Sequence, residues 1–180
     1  DLYHPDMKEY HEGNYSADNQ FSDSNQNESR LWKYYEGIRK ASTFVNNVDL
    51  CPELTMDEKT DMKGQARFLR AYCYWALMRV YGPVPLIPLE GLDVNLSYEE
   101  LSLPREHFDV LVDFVDKELM EAARSLPTKR TVNNLGRPTR GAALGLRSRV
   151  LLFAASPLFN GNTDLFDVKD CYGNLLIAQE

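Results

Sequence analysis

The sequence predicts an all-α fold of tetratricopeptide-like helix pairs, preceded by a loop-rich amino-terminal segment. Three observations predict it. Apolar residues recur at three- and four-residue spacing in four separate stretches, which is the periodicity of a helix face. Glycine or proline ends the longer stretches. The run GQARFLRAYCYWALMRVYGPVPLIP, Gly64 to Pro88, joins a strongly apolar helix to a proline-fixed extended exit.

The elements follow in order. Residues 1–29 are polar, with Tyr3, Tyr10, Tyr15 and Phe21 scattered among Asn, Ser, Asp and Gln without helical period. Such aromatics suit a structured surface loop, since a flexible linker lacks them. Helix one is expected over 31–48, with Trp32, Tyr35, Ile38, Ala41, Val45 and Val48 on one face. Helix two is expected over 55–81, opened by a capping box in which Thr55 is followed three residues later by Glu58. Between Phe68 and Tyr81 only Arg70 and Arg79 are charged, which predicts neighbours on several sides. Leu69, Tyr72, Trp75, Ala76 and Val80 are expected to form its packed spine. Gly82 suits a left-handed residue past the last turn, and Pro83 cannot continue the helix.

Helix three is expected over 104–126, opened by Pro104 and striped by Phe108, Leu111, Val112, Val115, Leu119, Ala122 and Leu126. Its Asp109, Asp113 and Asp116 read as a solvated face. Helix four is expected over 139–156, capped by Thr139 and stopped before Pro157. Its small residues Gly141, Ala142, Ala143 and Gly145 would permit close approach of another backbone. Helices two and four are both expected to be buried. Residues 160–180 are turn-rich, with no sign in the sequence of closing a fold. The domain reading is one partial domain: surface loop 1–29, helical scaffold 30–159 and a turn-rich tail 160–180.

Part of the tetratricopeptide pattern supports the pairing. Ala71, Trp75, Met78 and Pro83 fall at the spacing of its second helix, while Phe108, Leu111 and Val115 resemble its first. The loops are longer than a tight repeat tolerates.

Composition bounds the function. The 180 residues are 43% hydrophobic, enough for a core, and carry a formal charge of -7. No positive field for a phosphate backbone forms, so nucleic acid is not an expected partner. Cys51, Cys73 and Cys171 show no metal spacing, and a Cys51–Cys171 disulfide would rest on parity alone. No apolar run approaches the roughly 18 residues a membrane span needs. The chain opens without Met or signal-peptide features and reads as part of a longer or processed protein. His4, His11 and His107 are isolated, and no phosphate loop or nucleophile elbow is present.

Three segments in order, WKYYEGIRKASTFVNNVD, GQARFLRAYCYWALMRVYGPVPLIP and GRPTRGAALGLRSRVLLFAASPLFNG, resemble the SusD/RagB family of surface lipoproteins. The resemblance covers roughly residues 28–162. It implies a helical, tetratricopeptide-like scaffold under variable loops, held at the outer membrane of Bacteroidetes by a lipidated amino-terminal Cys absent from this chain. It implies capture of oligosaccharides, or in some branches peptides, for a SusC-type TonB-dependent transporter. Neither enzyme activity nor a cofactor is implied. Family chains are much longer, so the sequence reads as an amino-terminal portion.

A sugar site needs flat aromatic faces and planar polar groups. Residues 10–32 supply both: Tyr10, Tyr15, Phe21 and Trp32 as platforms, with Asp18, Asn19 and Gln20 as polar partners. The competing role is packing, in which the aromatics anchor the loop and Trp32 joins the stripe of helix one. Asn160, Asn162, Asp164 and Asp167 offer oxygen ligands to a calcium ion, but no Glu closes the loop and Asx turns account for them equally; no metal site is assigned. Arg67, Arg70, Arg79, Arg140, Arg147 and Arg149 lie on or beside apolar helices and are expected to form ion pairs with Glu and Asp of neighbouring helices. An intracellular helical-repeat scaffold presenting a groove to peptides is the alternative class.

Overall fold

The computed structural model describes residues 30–92, 95, 97–165 and 167–177. Its helices run α1 (Arg30–Asn47), α2 (Met56–Tyr81), the single turn α3 (Tyr98–Leu101), α4 (Phe108–Ser125) and α5 (Arg140–Ala154). No strand forms among the described residues; Lys169 and Leu175 make an isolated antiparallel bridge. The fold class is the all-α one expected. α1 packs on α2, α2 on α4 and α4 on α5, so two hairpins stack through their inner helices.

Local signals place the helix ends. At Thr55, Glu58 N donates to Thr55 Oγ1 at 3.3 Å and Thr55 N donates to Glu58 Oε2 at 2.9 Å, completing the capping box. Gly82 takes φ 65° directly after Tyr81, a conformation that favours glycine, and its N–H closes on Met78 O. Thr139 caps α5 through Oγ1, which accepts from Ala142 N at 3.2 Å. α4 departs from expectation: it begins at Phe108, not at Pro104. The preceding backbone is engaged elsewhere, with Glu106 N donating to Val84 O at 3.1 Å and Phe108 N to Leu176 O at 2.9 Å. His107 therefore becomes the cap, its Nδ1 accepting from Asp109 N.

The α1 and α4 stripes pack as read. Ile38, Ala41, Val45 and Val48 are buried on one side, and Phe108, Leu111, Val112, Val115, Leu119, Ala122 and Leu126 on the other. The spine of α2 is shifted. Ala71, Tyr74, Trp75, Ala76, Leu77 and Met78 are buried, whereas Leu69, Tyr72 and Val80 are 52%, 44% and 47% exposed. A helix apolar all round gives no phase, and the neighbours choose which side is inside.

α5 corrects a second expectation. Only Ala143 and Val150 are buried, while Leu144, Leu151 and Leu152 face outward. It is the outer helix of the stack and packs along one side only. The close backbone approach predicted at its small residues lies at α2: a Cβ on Gly64 would stand 2.9 Å from Ser125 Cβ, whereas one on Gly145 would meet nothing within 4 Å. The tail also returns to the body. Leu176 and Ile177 are buried, and Phe159 stacks on Phe108 with ring centroids 3.9 Å apart. Phe153 joins them, meeting Trp75 edge-on at 5.0 Å.

Trp75→Ala is expected to lower unfolding free energy by about 3–5 kcal/mol, because the ring fills the seam between α2 and α5. Leu69→Ala, half exposed, should change it by less than about 1 kcal/mol. Urea denaturation of both variants checks the phase of α2; equal losses would restore the sequence-derived spine.

Candidate functional site

Of the predicted ligand residues, Tyr10, Tyr15, Asp18, Asn19 and Phe21 lie outside the described residues, as does the side chain of Trp32. The backbone of Trp32 lies in the first turn of α1. The described part supplies what carries that segment: the amino-terminal end of α1, and a polar cluster that ties α1, α2 and α4 to the proline-rich exit.

The cluster is built around Glu118 of α4 and Arg70 of α2, both among the few buried polar side chains. Arg67 Nη1 donates to Glu118 Oε1 at 2.5 Å, and Arg70 Nη1 stands 3.6 Å from Glu118 Oε2. Arg70 Nη2 donates to Ile87 O at 2.9 Å, and its guanidinium lies over the Phe114 ring at 4.8 Å. Tyr74 Oη accepts from Ile87 N at 2.9 Å, and Tyr35 Oη donates to Pro85 O at 2.8 Å. Asn46 Nδ2 completes the set on Leu89 O at 2.8 Å. Arg70 Nε and Glu118 Oε2 have no hydrogen-bond partner, so the pair is joined by charge more than by a bond.

Burial holds the Glu118 carboxyl above the ordinary carboxylate range, while Arg67 and Arg70 pull it back. Burial likewise raises the Tyr35 and Tyr74 phenols. No nucleophile stands against a base within the cluster. Its chemistry is the satisfaction of backbone groups and charge, and it works as a brace.

Sequence reasoning had not singled out Glu118. The signal was present: Glu118 falls on the apolar face of α4, three residues after Val115 and four before Ala122, opposite arginines spaced by three. A carboxylate on such a face calls for a cationic partner.

The other arginines divide. Arg147 Nε donates to Asp116 Oδ1 at 2.6 Å, so Asp116 leaves the solvated face expected for it and joins α4 to α5. Arg140 Nε donates to Ala123 O at 2.9 Å, using a carbonyl in place of a carboxylate. Arg79 lies over the Trp75 ring at 5.6 Å. Asp109 and Asp113 are exposed, as read. Arg130, outside the predicted set, grips Asp61 at 2.7 and 2.8 Å and Pro138 O at 2.6 and 2.9 Å.

The three cysteines are free, so the parity-based disulfide does not form. Burial pushes the Cys73 thiol up to about 11, and it behaves as a small apolar group. In the Asn160–Asp167 stretch, Asn162 Oδ1 accepts from Asp164 N at 3.0 Å, the Asx turn foreseen. No cluster of three or more His, Cys, Asp or Glu suited to a metal occurs among the described residues. No helix among them is long and apolar enough to cross a membrane.

The family model for SusD-like proteins, described as "Starch-binding associating with outer membrane", matches residues 4–152. The chain belongs to the SusD-like family. A SusD-like protein of Formosa agariphila is 26% identical over 143 residues, covering 77% of this chain and 26% of the relative. Among solved structures, a SusD-like protein from Bacteroides fragilis is 31% identical with a TM-score of 0.61, covering 68% of this chain and 23% of that one. A SusD-like carbohydrate-binding protein from the same species is 27% identical with a TM-score of 0.56, covering 68% and 23%. The SusD-like chain thus spans about a quarter of the length of the curated relatives it matches.

Two outcomes test the brace. Arg70→Leu leaves Glu118 with Arg67 alone and strips Ile87 O of its donor, so a loss of about 1–3 kcal/mol is expected, with faster amide exchange at Ile87. Intact stability with lost ligand binding would instead make Arg70 a ligand residue. Because the folded pKa of Glu118 lies above its ordinary value of 4.5, its contribution is full below that pH and declines as pH rises through the folded value. The stability advantage of the native chain over Glu118→Gln should therefore shrink in thermal melts as pH rises above the ordinary value of 4.5. An advantage that grows over this range would show the arginines outweighing burial.

Proposed function

We propose that this chain is the amino-terminal scaffold of a cell-surface glycan-binding protein that hands oligosaccharides to a SusC-type TonB-dependent transporter. The carrying observation is the family match across residues 4–152, joined by likeness to a SusD-like carbohydrate-binding protein. The buried polar groups of the described part are spent on bracing the scaffold. Binding without turnover is the activity the family match supports. Attachment is through a lipidated Cys upstream of Asp1, at the outer face of the outer membrane.

The proposal divides the chain into a ligand-facing loop at 1–29, the scaffold at 30–159 and a tail at 160–180 leading to the remainder of the protein. Within the loop, Tyr15 and Phe21 serve as stacking platforms, with Asp18 and Asn19 pairing sugar hydroxyls and Tyr10 and Trp32 at the edges. A neutral ligand suits a chain whose net charge is -7.

The test is calorimetry of the complete lipoprotein against a broad glycan panel, with chromatography of the mixture afterwards. Saturable binding with unchanged oligosaccharide and co-purification with a TonB-dependent transporter are expected. Alanine at Tyr15, Asp18 or Phe21 should weaken binding by about 1–3 kcal/mol with melting unchanged. Absence of binding across the panel together with no transporter association sinks the reading. Lost melting with intact affinity reassigns the loop to packing.

A further inference from the structure

The seam between α1 and α2 carries a groove of about 530 Å³ that the cluster at Glu118 does not use. The two helices approach closely at Gly37, where a Cβ would stand 3.1 Å from Cys73 Sγ, and Phe44, Met62 and Leu69 form the apolar wall of the groove. Phe44 and Leu69 are 39% and 52% exposed, so large apolar surface stands open there.

The charges at the groove are of one sign. Lys40 and Arg137 line it, and no carboxylate does so among the described residues. Lys33, four residues before Gly37, falls on the same face of α1 and is exposed. Lys40 meets Glu36 of its own helix in an exposed pair of small worth. Arg137 donates to Gln65 Oε1 at 3.4 Å, a long bond to a neutral group. Along α1 as a whole, Arg30, Lys33, Arg39 and Lys40 stand against Glu36 alone, in a chain whose formal charge is -7. The groove is thus a basic patch on an acidic protein, and it draws toward itself the anionic groups that the remaining surface repels. Its concave, apolar wall suits the inserted side chain of a peptide, whereas a lipid surface is met by protruding apolar side chains.

We propose that the α1–α2 groove docks an acidic segment of a partner protein. One aromatic or large aliphatic side chain of that segment seats against Phe44, Met62 and Leu69, and carboxylates flanking it reach Lys40 and Arg137. Arg137 offers the fork that holds a carboxylate through two parallel hydrogen bonds, and Lys40 a point charge. The apolar contact supplies affinity, while the cations select the sign of the partner and speed encounter. Because the cationic rim is exposed, the contact weakens as salt rises. The docking rests on the described scaffold and stands independently of the glycan reading.

The test is fluorescence anisotropy of labelled synthetic peptides on the intact protein. The probes are a Gly/Ser peptide carrying one Trp flanked by Asp and Glu, its Lys/Arg counterpart, and the acidic peptide with Ala in place of Trp. The acidic Trp peptide should bind saturably, and the other two at least about tenfold more weakly. The Lys40→Glu/Arg137→Glu double variant should reverse the preference toward the basic peptide, and Leu69→Glu should weaken the acidic one by about tenfold, both with melting unchanged. Absence of binding to the intact protein overturns the proposal, as does equal binding of acidic and basic peptides or binding that both groove variants leave unchanged. Attachment to anionic phospholipid vesicles without peptide binding overturns it in favour of a membrane surface. Glycan affinity is a separate readout, so failure here is distinguishable from failure of the functional reading.

Discussion

A buried carboxylate facing two arginines is the constraint around which the scaffold is arranged. Glu118 sits inside the α2–α4 seam with burial working against its charge, and removing either side of the pair would leave an uncompensated ion. Such a pair adds little net stability over an apolar replacement, yet it ties position tightly, because misregister strands a charge. The seam is narrow at Gly64, where even a methyl would press on Ser125, and six residues on it must admit Arg70 and Glu118. The seam has a narrow end and a wide one, and a slide that brings bulk toward Gly64 is blocked there.

The same arginine solves a second problem. The exit after α2 passes through Pro83, Pro85 and Pro88, a stretch with missing N–H donors and no ladder to join, yet Val84 is buried. Its backbone groups must be satisfied one at a time. Tyr35 takes Pro85 O, Arg70 takes Ile87 O, Tyr74 takes Ile87 N, Asn46 takes Leu89 O, and Glu106 N takes Val84 O. Helix and exit are thus one unit: the polar side chains of α1 and α2 exist to receive the backbone that the prolines hold extended. Arg70 and Tyr74 of the helix and the Gly-Pro-Val-Pro-Leu of the exit belong together because the buried side chains and the extended backbone satisfy each other.

What could be read from residues alone follows from the reach of each signal. Caps at Thr55 and Thr139 and the stop at Gly82 depend on neighbours within four residues, and all three formed. The α4 stripe carried its own phase, since its opposite face is charged. Burial in α2 and α5 was illegible for the opposite reason: both are apolar around their circumference, so only the packing order reveals that α2 lies inside and α5 at the edge. The start of α4 moved because Val84 and Leu176, distant in sequence, claim the N–H groups of Glu106 and Phe108. Glu118 was legible in principle, as a carboxylate on an apolar face, but its partners lie fifty residues away. The ligand residues proposed at 10–21 have no comparable structural check, being outside the described part.

A division of labour follows from where the polar groups are spent. Inside the described scaffold, Arg67, Arg70, Arg147, Asp116, Glu118 and Arg130 are each engaged with another part of the chain. Groups so committed resist substitution but are unsuited to a changing ligand, because any exchange leaves a buried partner behind. The open surfaces are of a different kind: the outer face of α5 and the α1–α2 groove are apolar and tolerate change one residue at a time. The buried pair of Arg70 and Glu118 and the open outer face of α5 are thus separate parts of the scaffold, and a substitution at Leu144 or Leu152 leaves the pair untouched.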